Sequence, residues 1–290
     1  MIREITAKTI LNRMRQPDDW FGLTYGFNIY RGCQHQCIYC DSRSECYRID
    51  NFNDVLVKVN APDLLRSELK RKRLKGTIGT GSMSDPYTFV ERDYRLTRRA
   101  LEVIAEAGFP LHLLTKSELV TRDADVLVEI QRKTMAVAAF TLTTTDDDLA
   151  GKIEPGAAPP SRRLKALEQL SKQGIRTGVA LMPVLPYLED NVENLMTIAR
   201  RAKDAGAEYL LPAVGMTLRD RQRLYFYERL DELFPDLRAH YEKTFGERYD
   251  VRPANWKELD KVLREECLRL GLAVQTPRWQ PPRVEQMSLL

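Results

Sequence analysis

Short apolar runs alternate with amphipathic, charge-bearing stretches along the first two thirds of the chain, with a repeat of roughly 30 to 40 residues. The apolar runs fall at 77–81, 111–115, 135–142, 177–182 and 209–214, after a first strand at Gly26-Phe27-Asn28-Ile29-Tyr30. Helical patterns occupy 63–74, 94–107, 124–131, 161–173 and 192–205 between them. Gly108, Gly174 and Gly206 each stand between a helical pattern and the next strand, where a helix-stop glycine belongs. Such a rhythm builds parallel β/α units with right-handed crossovers. Six strands fall short of a closed eight-unit barrel, so the expected α/β fold is an open, partial (β/α)6 barrel rather than a doubly wound sheet. In that architecture the site gathers at the carboxyl ends of the strands.

The same reading divides the chain into an N-terminal lead-in over 1–25, the partial barrel over 26–215 and a helical C-terminal extension over 216–290. The lead-in loops at Pro17-Asp18-Asp19-Trp20. The extension carries helical patterns at 218–234, 237–245 and 256–270 and a loose, proline-rich tail through Pro277, Pro281 and Pro282. It is expected to pack on the barrel and help cover its open side. With 43% hydrophobic residues the chain can build a core. Its 45 Lys and Arg against 41 Asp and Glu leave +4, too little to mark a dedicated nucleic-acid binder. No stretch reaches the roughly 20 apolar residues of a membrane span. The opening Met1-Ile2-Arg3-Glu4 lacks the apolar core of a secretory signal, so a cytoplasmic location without membrane attachment is expected.

Five cysteines are an odd number, and four of them, Cys33, Cys37, Cys40 and Cys46, crowd one window. That is no disulfide framework; it indicates metal binding or catalysis in a reducing compartment. The key stretch is Gly32-Cys33-Gln34-His35-Gln36-Cys37-Ile38-Tyr39-Cys40, a C-x3-C-x2-C triplet just after the first strand. Three thiolates at this spacing can each take one iron of a cubane and leave the fourth iron open to a small ligand. A zinc site formed by the triplet with His35 or Cys46 is the rival reading of the same residues.

The triplet, with aromatic Tyr39 directly before its last cysteine, resembles the signature of the radical SAM superfamily. Asn28-Ile29-Tyr30-Arg31-Gly32-Cys33, Cys40-Asp41-Ser42-Arg43, Ser82-Met83-Ser84-Asp85-Pro86-Tyr87, Leu114-Thr115-Lys116-Ser117 and Lys152-Ile153-Glu154-Pro155-Gly156 are similar to the spore photoproduct lyase-like subgroup, also described as DNA repair photolyase-like, and to its uncharacterised bacterial members. The likeness runs from about residue 7 to 215. It implies a [4Fe–4S] cluster on Cys33, Cys37 and Cys40, which one electron from a donor such as flavodoxin or ferredoxin reduces. S-adenosylmethionine (SAM) is then cleaved to a 5′-deoxyadenosyl radical that acts on a substrate, with nucleic acid as a candidate class. By the same likeness Tyr39 lies beside the adenine, Ser84 and Asp85 meet the methionine amine, Lys116 meets the carboxylate, and Thr141 or Thr143 holds the ribose hydroxyls. Ser82 departs from the pattern, standing where the lyase carries a hydrogen-donating cysteine, and a serine O–H is a far poorer hydrogen-atom donor than a thiol. True DNA lesion repair is therefore disfavoured. A zinc- or cluster-binding nucleic-acid module without catalysis is the alternative of a different class.

The remaining candidates have plainer readings. Cys46 is either a spare reactive thiol or a small loop side chain. Cys267, His112 and His240 are expected to be structural, and Tyr87, Tyr187 and Tyr209 to pack. The run Lys70-Arg71-Lys72-Arg73-Leu74-Lys75 reads as a solvated helix end, and Arg162-Arg163 and Arg200-Arg201 as added basic charge on other helices.

Overall fold

The computed structural model of this chain describes residues 1–49 and 51–281. Its strands are β1 (Ile2–Ile5), β2 (Asn12–Arg13), β3 (Tyr25–Gly26), β4 (Tyr30–Arg31), β5 (Val55–Lys58), β6 (Ile78–Thr80), β7 (Leu111–Thr115), β8 (Ala136–Thr141), β9 (Arg176–Val184), β10 (Tyr209–Val214), β11 (Met216–Thr217) and β12 (Asp250–Val251). Its helices are α1 (Ala61–Leu69), α2 (Glu91–Tyr94), α3 (Leu96–Ala107), α4 (Ala124–Lys133), α5 (Asp147–Ile153), α6 (Pro160–Lys172), α7 (Val192–Asp204), α8 (Asp220–Leu233), α9 (Leu237–Phe245) and α10 (Trp256–Leu270). Among the described residues no helix is long and apolar enough to cross a membrane.

The main sheet runs β10-β9-β8-β7-β6-β3-β2. From β3 to β10 all six strands are parallel and stand in chain order, while β2 joins the edge antiparallel. A doubly wound sheet would reverse direction partway through. The unreversed order is barrel winding, left open between β10 and β2. This is the partial barrel the alternation predicts, with an unforeseen seventh strand.

Burial of both strand faces explains the continuous apolar runs. On β8, Ala136, Ala138 and Phe140 join a core with Leu101 and Ile104 of α3, Leu127 and Ile130 of α4, and Leu167 and Leu170 of α6. The alternate residues Val137 and Ala139 meet Tyr209 and Leu211 of β10 on the inner face, where Phe21 and Trp279 also pack. The expected helix stops are present, since Gly108, Gly174 and Gly206 all take the left-handed backbone at φ +64°, +79° and +92°, which costs a residue without Cβ little.

Several local expectations change. The strand expected at 26–30 is two pieces in two sheets. Phe27 N–H still donates to Gly79 O at 3.0 Å, but Tyr30 and Arg31 pair antiparallel with β5. Residues 1–25 contain β1, which pairs with β5, and β2, which pairs with β3. The helix expected at 63–74 stops at Leu69, and Arg71, Arg73, Leu74 and Lys75 lie exposed beyond it. Successive cations there repel one another at helical spacing and offer no apolar face to bury. The tail is held rather than loose as far as it is described. Thr276 Oγ1 donates to Trp20 O at 2.8 Å, and Arg278 donates to Asp18 O at 2.9 Å and Asp19 O at 2.5 Å. Pro282 lies outside the described residues.

Candidate functional site

The cysteine loop is braced on three sides. It leaves β4 at Gly32, whose φ is +85° and where a Cβ would lie 2.1 Å from Asp54 O, so only glycine fits. Gln36 adopts a left-handed φ of 53°, and its Nε2–H donates to Cys33 O at 2.8 Å, closing the turn between the first two cysteines. On one flank Gln34 N–H donates to Thr88 Oγ1, and Val90 N–H donates to Gln34 Oε1, both at 2.9 Å. On another, Ile38 N–H donates to Ile153 O and Gly156 N–H to His35 O, again at 2.9 Å. The Lys152-Ile153-Glu154-Pro155-Gly156 stretch is thus the cradle of the loop. The third brace comes from the C-terminal extension, where Gln222 Nε2–H donates to Tyr39 O at 3.1 Å and Ile38 and Tyr39 pack with Phe226, Tyr227 and Leu230 of α8.

Cys33 and Cys37 are buried, Cys40 half-buried and Cys46 exposed. Burial pushes the Cys37 and Cys40 thiols up, so a metal taking these ligands must displace their protons. Among the described residues no three His, Cys, Asp or Glu side chains converge to hold a single metal ion. His35 Nδ1 lies 3.4 Å from Asp85 Oδ2, and the Cys46 sulfur accepts from Ser44 Oγ at 3.4 Å.

A cavity of about 740 Å³ opens beside Cys40 at the carboxyl ends of β6 to β10. Tyr39, Cys40, Ser82, Asp85, Lys116 and Thr141 line it together. Ser84 and Thr143 are buried beside the same strand ends without lining it; among the described residues the Ser84 hydroxyl has no hydrogen-bond partner, while the Thr143 hydroxyl bonds Glu189. Asp85 is fixed by donors: Oδ1 accepts from Thr115 Oγ1 at 2.7 Å and Tyr87 N–H at 2.8 Å, and Oδ2 from Lys116 N–H at 2.7 Å. Burial works against the Lys116 charge, but Cys37 and Glu154 outweigh it and raise its pKa. Lys116 Nζ lies 3.8 Å from Glu154 Oε1 and 5.7 Å from the centre of the Tyr39 ring. A preorganised carboxylate and an ammonium in one cavity match the charges of an amino acid's two ends.

Two buried carboxylates stand out beside the residues expected from sequence. Glu154 accepts from the Tyr39 hydroxyl and from Arg163 Nη2, and Arg163 also donates to Thr141 O at 3.0 Å and Ala158 O at 2.6 Å. Arg163 is therefore no surface cation, being 1% exposed. Glu154 lies in a stretch singled out from sequence, but nothing local marks its partners. Glu189 is the other: fully buried, its Oε2 accepts Leu185 N–H at 3.0 Å, and burial, only partly offset by hydrogen bonds from Thr143 and Leu185, pushes its pKa up to about 8. Of the residues expected to be structural or to pack, Cys267 sits in the core, His112 Nε2 lies 3.2 Å from the Tyr209 hydroxyl and the Tyr87 hydroxyl donates to Asp123 at 3.0 Å, whereas His240 is exposed and Tyr187 half exposed, their rings meeting at the surface.

The fold is an open parallel barrel with a cysteine triplet beside the cavity at its strand ends. Residues 27–199 match the family model of the radical SAM superfamily, and the chain belongs to that superfamily. An uncharacterised protein of Methanocaldococcus jannaschii is 35% identical over 269 residues, covering 90% of this chain and 92% of that protein. A protein of Pseudomonas phage M6 named radical SAM Nalpha-GlyT isomerase is 24% identical over 255 residues, covering 84% of this chain and 51% of its own length. Among solved structures, spore photoproduct lyase complexed with dinucleoside spore photoproduct superposes with a TM-score of 0.70 at 17% identity, over 94% of this chain and 81% of that one, which shows the shared fold. The donor set fits the superfamily's cofactors: three thiols on one braced loop, and an open cavity beside the last of them lined by Asp85 and Lys116.

Proposed function

We propose that Cys33, Cys37 and Cys40 hold a [4Fe–4S] cluster and that the adjoining cavity binds SAM, for radical chemistry on a nucleic-acid or nucleoside substrate. The observation that carries this reading is the cavity itself, which brings Cys40, Tyr39, Asp85, Lys116 and Thr141 together from separate strand ends. When bound, cluster and SAM supply a one-electron cleavage to a 5′-deoxyadenosyl radical that abstracts hydrogen from the substrate. The chain's part is binding and orientation. Lys116, kept charged beside Glu154, takes the SAM carboxylate. Asp85, immobilised by its three donors, receives the amine. Tyr39, whose hydroxyl Glu154 holds, presents its ring to the adenine. Thr141, which lines the cavity, serves the remaining polar groups. A one-electron donor of the flavodoxin or ferredoxin class supplies the reducing equivalent.

The substrate class rests on the outer cavity. Trp20 and Tyr249 line it and are half exposed, and the Arg252 guanidinium lies 4.6 Å from the centre of the Trp256 ring. Aromatic faces interleaved with arginines suit bases and phosphates. The dinucleoside in the solved lyase complex supports the same class. Ser82 lines the cavity as an exposed hydroxyl, which argues against reversal of thymine dimers. The test is equilibrium binding of SAM to the anaerobically reconstituted protein, followed by a screen of single-stranded DNA and RNA for stimulated SAM cleavage. Binding that Lys116→Met weakens roughly 10- to 100-fold, with stimulation by one nucleic acid, supports the proposal. Binding indifferent to Lys116, or cleavage that no nucleic acid stimulates, removes the site assignment or the substrate class respectively.

A further inference from the structure

We propose that Arg43 is the counter-charge of the cluster, a fixed cation beside the cysteine loop that favours the reduced state. This rests on the cluster assignment above and goes beyond it by naming a residue that touches neither SAM nor the cavity. Arg43 is 7% exposed. Its guanidinium carbon lies 3.6 Å from the centre of the Tyr225 ring and 4.4 Å from that of Phe52. Phe52 in turn packs against Cys33 and Cys40. Nη2 donates to Gln36 Oε1 at 2.6 Å, and Gln36 is the residue whose amide closes the turn at Cys33. The arginine is thereby tied to the backbone between the first two cysteines.

Its electrostatic surroundings are unusual. A buried arginine cannot shed its proton and normally sits against a carboxylate. Here the Nε–H is buried without an acceptor, and the acidic groups acting most strongly on the guanidinium are Tyr225 and the thiols of Cys40, Cys37 and Cys33. The protein thus retains a costly buried cation whose most strongly acting acidic neighbours, after Tyr225, are the thiols that would hold the cluster. A cubane with three thiolates is negatively charged when oxidised and gains one further negative charge when it accepts an electron without a proton. A fixed cation close by lowers the energy of that second state more than the first, as charges and hydrogen bonds around iron–sulfur clusters do generally.

The experiment uses the reconstituted full chain and its Arg43→Lys and Arg43→Met variants. Iron and sulfide content are measured, and the reduced cluster is followed by electron paramagnetic resonance during a dithionite titration. Arg43→Lys keeps the charge and is expected to load a cluster and hold the wild-type ratio of reduced to oxidised cluster at a given potential. Arg43→Met is expected either to lower that ratio by about tenfold, equal to about 59 mV for a one-electron couple, or to fail to load a cluster that the lysine variant carries. A methionine variant with the wild-type ratio overturns the proposal. So does a lysine variant that loses the cluster or the ratio, because the role is then packing or the planar fork rather than charge. A wild-type protein that takes up no iron and sulfide refutes the underlying cluster assignment instead, and the two failures are told apart by that single analysis.

Discussion

Replacing Glu154 by Gln keeps the side chain's volume and an acceptor for the Tyr39 hydroxyl, but deletes the charge that holds Arg163 and Lys116. Glu154 is 2% exposed and Arg163 1%, so the arginine cannot turn to water when its partner is neutralised. Removing one member of a buried ion pair costs roughly 3–5 kcal/mol, because the other charge stays buried and uncompensated. The lower end applies here, since Arg163 keeps its bonds to Thr141 O and Ala158 O and Lys116 is 17% exposed and can find water. Equilibrium urea unfolding of the metal-free protein at pH 7 should therefore show a loss of about 3 kcal/mol, with Arg163→Met comparably destabilised. The sign of the pH dependence follows from the Glu154 pKa. Burial works to raise it, but Arg163 and Lys116 hold it below the ordinary carboxylate value. Its contribution is then fully present above the unfolded value of about 4.3 and is lost as pH falls through the lower folded value. The gap between wild type and Glu154→Gln should accordingly be full at pH 7 and close in strong acid. A loss below about 1 kcal/mol at pH 7 would refute the view that this pair, rather than packing alone, secures the cradle of the cysteine loop.

Other consequences are equally open to measurement. Cys37→Ala should bind less iron after anaerobic reconstitution than wild type and lose the iron–sulfur absorption band, whereas Cys267→Ala should load normally because that thiol lies in the core. Lys116→Met should weaken SAM binding roughly 10- to 100-fold in equilibrium dialysis, the value of a charge-assisted hydrogen bond of about 1.5–3 kcal/mol. Glu189, pushed up to about 8 by burial, holds its proton in the folded state where the unfolded chain has lost it. Its favourable contribution is complete below about pH 4.3 and fades as pH rises towards 8. Wild type should lose stability relative to Glu189→Gln across that window by a few kcal/mol, on the order of 1.4 per pKa unit, and a difference that stays flat with pH would contradict the burial argument.

Where periodicity ran long enough, the sequence was legible almost to the residue. β7 and β10, and α9 and α10 in the extension, fall at the expected bounds, because each has several apolar positions in one register. The two-residue strands β2, β11 and β12 are too short to display any period. The first strand broke because Asn28 and Ile29 carry the chain from one sheet to another, a choice made by the partner strands β6 and β5 and not by local propensity. The site divides in the same way. Cysteine spacing announces Cys33, Cys37 and Cys40, and the likeness of Leu114-Thr115-Lys116-Ser117 to the lyase-like subgroup singles out Lys116. The pairing of Glu154 with Tyr39, 115 residues away in sequence, and the stacking of Arg43 on Tyr225 are tertiary facts with no short-range signature.

The central claim is that Cys33, Cys37 and Cys40 carry a cluster that reductively cleaves SAM. The direct measurement is formation of 5′-deoxyadenosine from SAM by the anaerobically reconstituted protein under dithionite, resolved by chromatography, with Cys37→Ala alongside. The account predicts 5′-deoxyadenosine from wild type and none from the variant. A wild-type protein with a full, reducible cluster and bound SAM that yields no 5′-deoxyadenosine with any nucleic acid added would contradict it.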